Sequence, residues 1–248
     1  MSFQLFSDIH LEFKTEYPRL VSKCDNLILA GDIAPLTNSL LKDFLIYCSQ
    51  NWKHIFYICG NHEYYVKYSI ESATNYFINF IKDLPNIHFL NNSYFELDGI
   101  VIYGSILWTR PIFDNSSKAR FALNDYNKIK TKNGKLTVED VKKSSEDGVI
   151  YLKEFLQINQ LPTIIVTHFP PISKNTSDPK YEGDYLQDYF RWENIIKSEN
   201  LKSNNIKVWC SGHVHYEFDF IDNGIRYIGN QIGYDEEKLV WNDGLFHI

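Results

Sequence analysis

The stretch Asn-Leu-Ile-Leu-Ala-Gly-Asp (Asn26–Asp32) decides the fold of this chain. Its apolar run is too short for a buried helix and is bounded by glycine, which predicts a buried β-strand from Asn26 to Ala30. The strand ends in Gly31-Asp32, where a glycine lets the backbone approach a neighbouring group closely. The stretch therefore predicts a strand that presents a carboxylate at its end.

The same arrangement of a short apolar run followed by polar residues recurs along the chain. The runs are Phe3–Phe6 before Asp8-Ile9-His10, Ile55–Cys59 before Gly60-Asn61-His62-Glu63, Thr163–Thr167 before His168, and Lys207–Cys210 before Gly212-His213-Val214-His215. Helical periodicity over residues 36–52 and 69–84 separates the first strands. Alternating strands and helices predict parallel strands covered by helices, with the polar residues converging at one sheet edge.

The rest of the chain contains closely spaced strands, two further helices and a hairpin. We expect strands at 87–90, 94–97 and 100–106, an irregular segment at 111–135, helices at 137–160 (capped by Thr137) and 185–200, a loop at 169–184, and a hairpin across Asn223-Gly224. This layout predicts a single α/β domain spanning residues 1–248, with a mixed sheet or two packed sheets.

Composition narrows the classes of protein to which the chain can belong. Of 248 residues, 44% are hydrophobic and 16% aromatic, enough for a substantial core and contrary to intrinsic disorder. The net charge of −6 argues against a broad basic groove for nucleic acid. A net charge of −6 is compatible with local positive charge from bound metals. The composition leaves the oligomeric state open.

Several features indicate a soluble protein of the cytoplasm. The start of the chain lacks the basic and apolar segments of a signal peptide. No apolar run approaches the ~20 residues that a bilayer-spanning helix needs, so we expect no membrane partner. The four cysteines (Cys24, Cys48, Cys59 and Cys210) form no Cys-x-x-Cys pair, which favours buried thiols over a zinc ribbon or a disulfide framework.

Histidine, aspartate and asparagine at strand ends are suited to binding divalent metal ions. Asp8 and His10 lie two residues apart, as do His213 and His215, and alternate residues of a strand share a face. Asp8 and Asp32 supply two negative charges, so two divalent cations would leave the cluster at about +2, matched to a phosphate ester and a hydroxide. With two carboxylate oxygens and a central place in the motif order, Asp32 is the natural bridge between two ions.

Taken together, the motifs resemble those of the calcineurin-like metallophosphoesterase superfamily, which run Asp-x-His, Gly-Asp, Gly-Asn-His-Asp/Glu, His and Gly-His-x-His. The resemblance implies a fold of two packed mixed β-sheets flanked by helices. It implies that one metal binds to Asp8, His10, Asp32 and His215, and the other to Asp32, Asn61, His168 and His213. It further implies two divalent ions (Mn, Fe, Zn, Ni, Co or Mg, with Mn favoured) and a catalytic, non-ligand role for His62, which would protonate the leaving oxygen or stabilise the transition state.

The chain departs from the protein Ser/Thr phosphatases of that superfamily. Those enzymes continue the second motif as Gly-Asp-x-Val-Asp-Arg-Gly and place an arginine before the third, whereas here Gly31-Asp32 continues as Ile33-Ala34-Pro35 and Cys59 precedes Gly60. The difference removes an arginine used for phosphate and argues against a phosphoprotein substrate. The start of the chain is more similar to the small, uncharacterised phosphohydrolases, although Gln231 stands where proline is common near their end.

The substrate contacts are less well marked than the metal ligands. Arg110 is a candidate for binding phosphate through its two-pronged guanidinium, although a solvated surface arginine is an equal alternative. Tyr181 and Tyr185 lie on a loop long enough to act as a lid. Glu63 completes a motif, and we expect it to have a supporting rather than a ligating role.

These observations predict a dinuclear metal-dependent phosphoesterase that hydrolyses phosphate mono- or diesters of a small phosphorylated substrate with an activated water. Two alternatives stay open. One is a scaffold or binding protein that keeps the fold without catalysis, which the full set of ligands makes the weaker. The other is a nuclease of the same superfamily, which the acidic composition disfavours.

Overall fold

The computed structural model describes residues 1–110, 116–237, 239 and 241–248. Its strands are β1 (Ser2–Phe6), β2 (Asn26–Ala30), β3 (His54–Ile58), β4 (Ile87–Phe89), β5 (Ser93–Leu97), β6 (Ile100–Ser105), β7 (Lys130–Thr131), β8 (Gly134–Lys135), β9 (Thr163–Thr167), β10 (Ile206–Ser211), β11 (Phe218–Asp222), β12 (Ile225–Gly229) and β13 (Leu245–His247). Its α-helices are α1 (Ser39–Asn51), α2 (Ile70–Ile81), α3 (Ser116–Ala122), α4 (Asp125–Lys128), α5 (Val138–Ile158), α6 (Gln187–Phe190) and α7 (Ile195–Ser198). Short 3-10 turns lie at Leu11–Phe13, His62–Tyr64, Pro179–Tyr181 and Asp235–Glu237.

The strands form two large mixed sheets. The first has the order β13-β1-β2-β3-β4, in which β1 to β4 run parallel and β13 pairs antiparallel with β1. The second has the order β11-β12-β10-β9-β6-β5, with four parallel central strands between antiparallel edges. In both sheets the parallel strands point their carboxyl ends towards one edge, as the sequence pattern predicts.

Three apolar clusters hold the layers together. Between the two sheets, residues such as Leu5, Ile28 and Phe56 pack against Ile102 and Val166. The alternate residues of the first sheet face α1 and α2, and those of the second sheet face α5. Strands buried on both faces read as continuous apolar runs, which explains the short hydrophobic segments of the sequence. The result is the expected pair of packed mixed sheets flanked by helices.

Local sequence signals are confirmed where they are strongest. The strands expected at 26–30 and 163–167 have those bounds. Thr137 caps α5, and its side chain and that of Asp140 each accept a backbone N–H from the other residue. Asn223 and Gly224 have φ of 49° and 79°, the left-handed pair that a tight hairpin turn requires.

The helix expected over residues 185–200 is wrong. Two short helices, α6 and α7, stand there instead, separated by an extended segment. The N–H of Trp192 donates to the carbonyl of Pro170 (2.9 Å), and the N–H of Ile195 donates to that of Pro171 (2.9 Å). Bonds to the proline loop replace helical ones, so tertiary contacts override the local helical period.

The structure also differs from the sequence-based expectations in the segment 111–135 and at the edge of the first sheet. The segment 111–135 was expected to be irregular; residues 111–115 lie outside the described part of the chain, and the remainder contains α3, α4 and the β7–β8 hairpin. The edge strand β13 was not anticipated, because three residues carry too little periodicity.

Among the helices that the structure describes, none combines the length and the apolar character needed to cross a membrane.

A glycine sets the separation of the two sheets. A Cβ on Gly104 of β6 would lie 2.3 Å from Cβ of Leu90 and 2.7 Å from Cγ2 of Ile58, which belongs to the opposite sheet. We expect Gly104→Ala to lower the free energy of unfolding by about 1–3 kcal/mol, because added volume strains a close-packed core. Urea denaturation followed by circular dichroism measures the change.

Gly148, in the middle of α5, provides the matched control. A Cβ there would make ordinary contact with Leu107 Cδ1 at 3.5 Å. Gly148→Ala should therefore raise the free energy of unfolding by about 0.5–1 kcal/mol through its helix propensity. Equal effects of the two substitutions would show that the sheets are not packed at van der Waals contact near Gly104.

Candidate metal centre

The polar residues that follow five parallel strands lie together at one edge of the sheets. They come from the ends of β1, β2, β3, β9 and β10 and are Asp8, His10, Asp32, Asn61, His62, His168, His213 and His215. Most of these side chains are buried, and Asp8 and His168 are fully so. Buried polar groups need partners, and here the partners are mainly one another.

Five of these residues have a left-handed backbone. Their φ values range from 47° to 74°, a region that non-glycine residues rarely adopt: Asp8, His10, Asp32, His213 and His215. From their spacing, Asp8 and His10 are expected on one face of an extended strand, but the strand has ended by Phe6. The side chains meet through turns instead, and such strain concentrates at functional sites.

Asp8, His10 and His215 form one group of possible metal ligands, with donor atoms all within 4.8 Å of one another. Nε2 of His10 lies 3.0 Å from Nε2 of His215, which lies 3.5 Å from Oδ1 of Asp8. The backbone N–H of His213 donates to both oxygens of Asp8 at 3.0 Å and fixes the carboxylate. The nitrogen and oxygen donors thus converge on one small region.

Asp32, His168 and His213 form another group that satisfies the same spacing. Nε2 of His168 lies 3.4 Å from Oδ2 of Asp32 and 3.2 Å from Nδ1 of His213. It also lies 3.1 Å from Oδ1 of Asn61, which brings the amide oxygen to the same place. This group contains the donors that the family pattern implies for a second metal.

Asp32 connects the two groups. Its carboxylate also lies within ligand spacing of His10 and His62. Asp32 is thus near donors of both groups, as a bridging carboxylate would have to be. The spacing alone admits His62 as a ligand too, so its role outside the ligand set stays a prediction, as do the ligand assignments themselves.

The buried carboxylates of the cluster are stabilised by nearby positive charge. Burial works to raise the pKa of Asp32, but the charges of His168 and His62 outweigh it and hold that pKa well below its usual value. Burial works to lower the pKa of His168, but Asp32 raises it to about 9. Protons on histidine therefore balance the buried carboxylates, a role that a divalent cation also fills when it displaces them.

The donor set fits divalent metal ions. Imidazole nitrogens, carboxylate oxygens and one amide oxygen suit Mn²⁺, Fe²⁺, Zn²⁺ and related ions, whereas thiolates are needed for softer sites. Cys59 and Cys210 are buried near the strand ends but belong to no group of possible ligands in the described residues. The residues present therefore fit divalent metal ions as a class.

His62 is held by a carboxylate that the sequence argument missed. Nδ1 of His62 lies 2.7 Å from Oε1 of Glu12, two residues beyond His10, and its ring packs 4.1 Å from that of Tyr65. Burial works to lower the pKa of His62, but Asp32 and Glu12 raise it. With Nδ1 held by Glu12, Nε2 of His62 faces Asp32, 3.9 Å from its Oδ2.

Glu63 ties the ends of β2 and β3 together. Its buried carboxylate accepts the backbone N–H groups of Asp32, Ile33 and Gly60 and the hydroxyl of Tyr57, all at 2.7–2.8 Å. Burial raises its pKa to about 7. Glu63 has the supporting position expected from the sequence, since it holds the backbone that carries Asp32.

Asp125 orients the amide of Asn61. Nδ2 of Asn61 donates to Oδ1 of Asp125 at 2.8 Å, and the hydroxyl of Tyr65 donates to the same oxygen at 2.6 Å. The amide oxygen therefore points towards His168. Asp125 begins α4, in a segment where sequence periodicity gave no signal.

A cavity of about 410 Å³ opens beside the centre. Asp32, Asn61, His62, His213 and His215 line one part of it, and residues 122–125, Ser177, Tyr181, residues 186–187 and 189–191, and Tyr234 line much of the rest. Rings cover the ligands, with Phe190 stacked 5.0 Å from His213 and Tyr234 4.4 Å from His10. The space is large enough for a small molecule that reaches the donor atoms.

Other residues singled out from the sequence lie elsewhere. Arg110 forms an ion pair with Glu199 at 3.0 Å and is not among the described residues that line the cavity. Tyr181 lines the cavity, whereas Tyr185 is exposed beside it. The cavity does contain an arginine, Arg191, which the sequence argument did not select.

Comparison with known proteins identifies the family. The model of the calcineurin-like phosphoesterase family matches residues 1–217. An uncharacterized protein, L509, of Acanthamoeba polyphaga mimivirus is 33% identical over 230 residues, which are 87% of this chain and 81% of the viral protein.

Solved structures of similar fold include two phosphohydrolases. The phosphopantetheinyl hydrolase of Mycobacterium tuberculosis has a TM-score of 0.67 at 18% identity, over 95% of this chain and 90% of that one. A dimetal phosphatase from Danio rerio has a TM-score of 0.58 at 14% identity, over 93% and 87% of the two chains. The strand-end motifs, the two packed sheets and the family match lead to one conclusion: the chain belongs to the calcineurin-like phosphoesterase family.

Proposed function

We propose that this protein hydrolyses phosphate mono- or diesters with two divalent metal ions, manganese being the favoured metal. The observation that carries the proposal is the convergence of two groups of ligand atoms that Asp32 connects. Bound divalent cations lower the pKa of a coordinated water and polarise phosphoryl oxygens. Asp8, His10, Asp32 and His215 would hold one ion, and Asp32, Asn61, His168 and His213 the other.

The chain's own residues supply the remaining chemistry. His62 protonates the leaving oxygen from Nε2, because Glu12 holds Nδ1 and keeps the ring in one orientation. Phe190 and Tyr234 pack against ligand histidines and restrict the access of water. Asp125 keeps the oxygen of Asn61 directed at the cluster.

The alternatives have weaker support. A scaffold without catalysis need not retain every donor and the His62–Glu12 pair, yet all are present. A nuclease requires cationic contacts along a nucleic-acid strand, and among the described residues of the cavity lining there is one arginine and no lysine.

The cysteines favour a reducing compartment such as the cytoplasm. All four are free, and three of them are buried.

Metal dependence tests the proposal directly. Chelation with EDTA should abolish hydrolysis of 4-nitrophenyl phosphate, and added Mn²⁺ should restore it, because the donor set alone supplies no activated water.

The bridging position of Asp32 is tested by substitution. Asp32→Asn should lower the content of both metals, measured by elemental analysis. If Asp32→Asn still bound two ions per chain, the bridging position of Asp32 would be contradicted.

His62 and Glu12 are tested by separating turnover from metal content. His62→Asn should lower kcat by about 10²–10⁴-fold, the usual contribution of a positioned acid, with metal content unchanged. Glu12→Gln should lower kcat by about 10–100-fold, as expected for a partner that orients the ring. Loss of metal in His62→Asn would mean that His62 is a ligand.

Glu63 is tested through stability and metal content together. Glu63→Gln places an amide N–H₂ against backbone donors, so we expect a loss of about 1–3 kcal/mol in the free energy of unfolding and reduced metal content. Glu154→Gln, an exposed change on α5, is the control and should stay within about 0.5 kcal/mol of the natural protein. Equal stability of the two variants would contradict the role of Glu63.

A further inference from the structure

Arg191 is the one buried arginine among the five in the sequence. It follows α6, is 8% exposed and lines the same cavity as Asp32, His62 and His213. The other four arginines, all within the described residues, are half-buried or exposed: Arg19, Arg110, Arg120 and Arg226. Guanidinium groups are seldom buried unless something pairs with them.

The guanidinium of Arg191 is only partly satisfied within the protein. One nitrogen donates to the hydroxyl of Ser177, and another makes a long contact of 3.5 Å with Oε1 of Gln187. Its Nε is buried and has no hydrogen-bond partner. Asp188, Glu193 and Glu182 act on it only at longer range, since no carboxylate in the described chain lies within 4.0 Å of its nitrogens.

An unpaired buried cation of this kind is costly to the protein. Removing a charged group from water without a directly paired opposite charge is unfavourable. A planar guanidinium with a free edge is also preorganised for two parallel bonds to a carboxylate or phosphate. An anionic ligand would therefore offset the cost and satisfy the free Nε.

The lining of the cavity indicates which part of a ligand would contact Arg191. Among its described lining residues there is no lysine and no second arginine, so Arg191 is the fixed cation outside the histidine-rich centre. The phosphate that is cleaved belongs at the metal ligands. A cavity of about 410 Å³ has room for a small molecule that reaches both places.

We propose that Arg191 binds a second anionic group of the substrate, so that the preferred substrates are small phosphate esters that carry an additional carboxylate or phosphate. This proposal rests on the phosphoesterase function proposed above. Arg191 is then a specificity-determining residue, distinct from the groups that act on the ester being cleaved. Arg110, by contrast, forms an ion pair with Glu199 and is not among the described residues that line the cavity.

The test compares three series of substrates of increasing chain length: alkyl phosphates, ω-carboxyalkyl phosphates and alkane bisphosphates. At the best-fitting length, the natural protein should have a kcat/KM about 10–100-fold higher for an ester with the second anion, mainly through KM, since hydrogen bonds between charged groups contribute about 1.5–3 kcal/mol. The carboxylate and bisphosphate series distinguish the two kinds of anion.

Arg191→Gln should reduce that preference to about one, and Arg191→Lys, which cannot form the two parallel bonds, should lie between. Arg226→Gln removes an arginine that pairs with Asp219 and is not among the described residues of the cavity lining, so this variant should retain the full preference. Thermal unfolding confirms that each variant is folded. A uniform loss of kcat/KM across all series in Arg191→Gln, no preference in the natural protein, or loss of the preference in Arg110→Gln would overturn the proposal.

A binding measurement separates this proposal from the proposed function. If no ester is hydrolysed, metal-depleted protein is titrated with inorganic phosphate by calorimetry. Binding that Arg191→Gln abolishes and Arg226→Gln retains would support an anion site at Arg191 while the phosphoesterase proposal fails. Absence of binding, or equal binding by the natural protein and Arg191→Gln, would overturn the anion site.

Discussion

The centre depends on one buried carboxylate. Glu63 receives N–H groups from the ends of β2 and β3, and Gly31 and Gly60 approach so closely there that a Cβ on Gly31 would lie 2.6 Å from the nitrogen of Gly60. Such contact leaves no space for water to satisfy these donors. A single side chain that accepts several of them satisfies backbone donors that would otherwise be unpaired in a water-excluded interior. Glu63 thereby fixes the position of Asp32.

The ligand loops in turn support one another. The N–H of Asp8 donates to the carbonyl of Gly31, the N–H of His10 donates to that of Asp32, and the N–H of His213 donates to the carboxylate of Asp8. These bonds hold residues in left-handed conformations that would otherwise be unfavourable. Since each loop is a partner of the next, substitutions among them should combine non-additively. The strain is sustained by mutual contacts rather than by any single strand.

How much could be predicted from the sequence depends on where the information lies. Strands β2 and β9 were predicted with their observed bounds, since an apolar run ending at a turn is a local signal. The residues after those strands were brought together as expected. The left-handed geometry of Asp8 and His10 was not predictable, because it comes from bonds to the neighbouring loop. Glu12 was missed for the same reason: its contact with His62 spans fifty residues of sequence.

The wrong helix prediction over residues 185–200 falls on the cavity wall. Residues 185–200 have a helical period, yet the bonds from Trp192 to Pro170 and from Ile195 to Pro171 break it at the position where Arg191 enters the cavity. A continuous helix would have placed that side chain by its period alone, whereas the break lets the proline loop position it. The candidate metal ligands therefore follow strand ends with strong local signals, whereas the position of the cavity wall depends on tertiary contacts. Because the two are built separately, the selectivity of the cavity can change while the ligands stay in place.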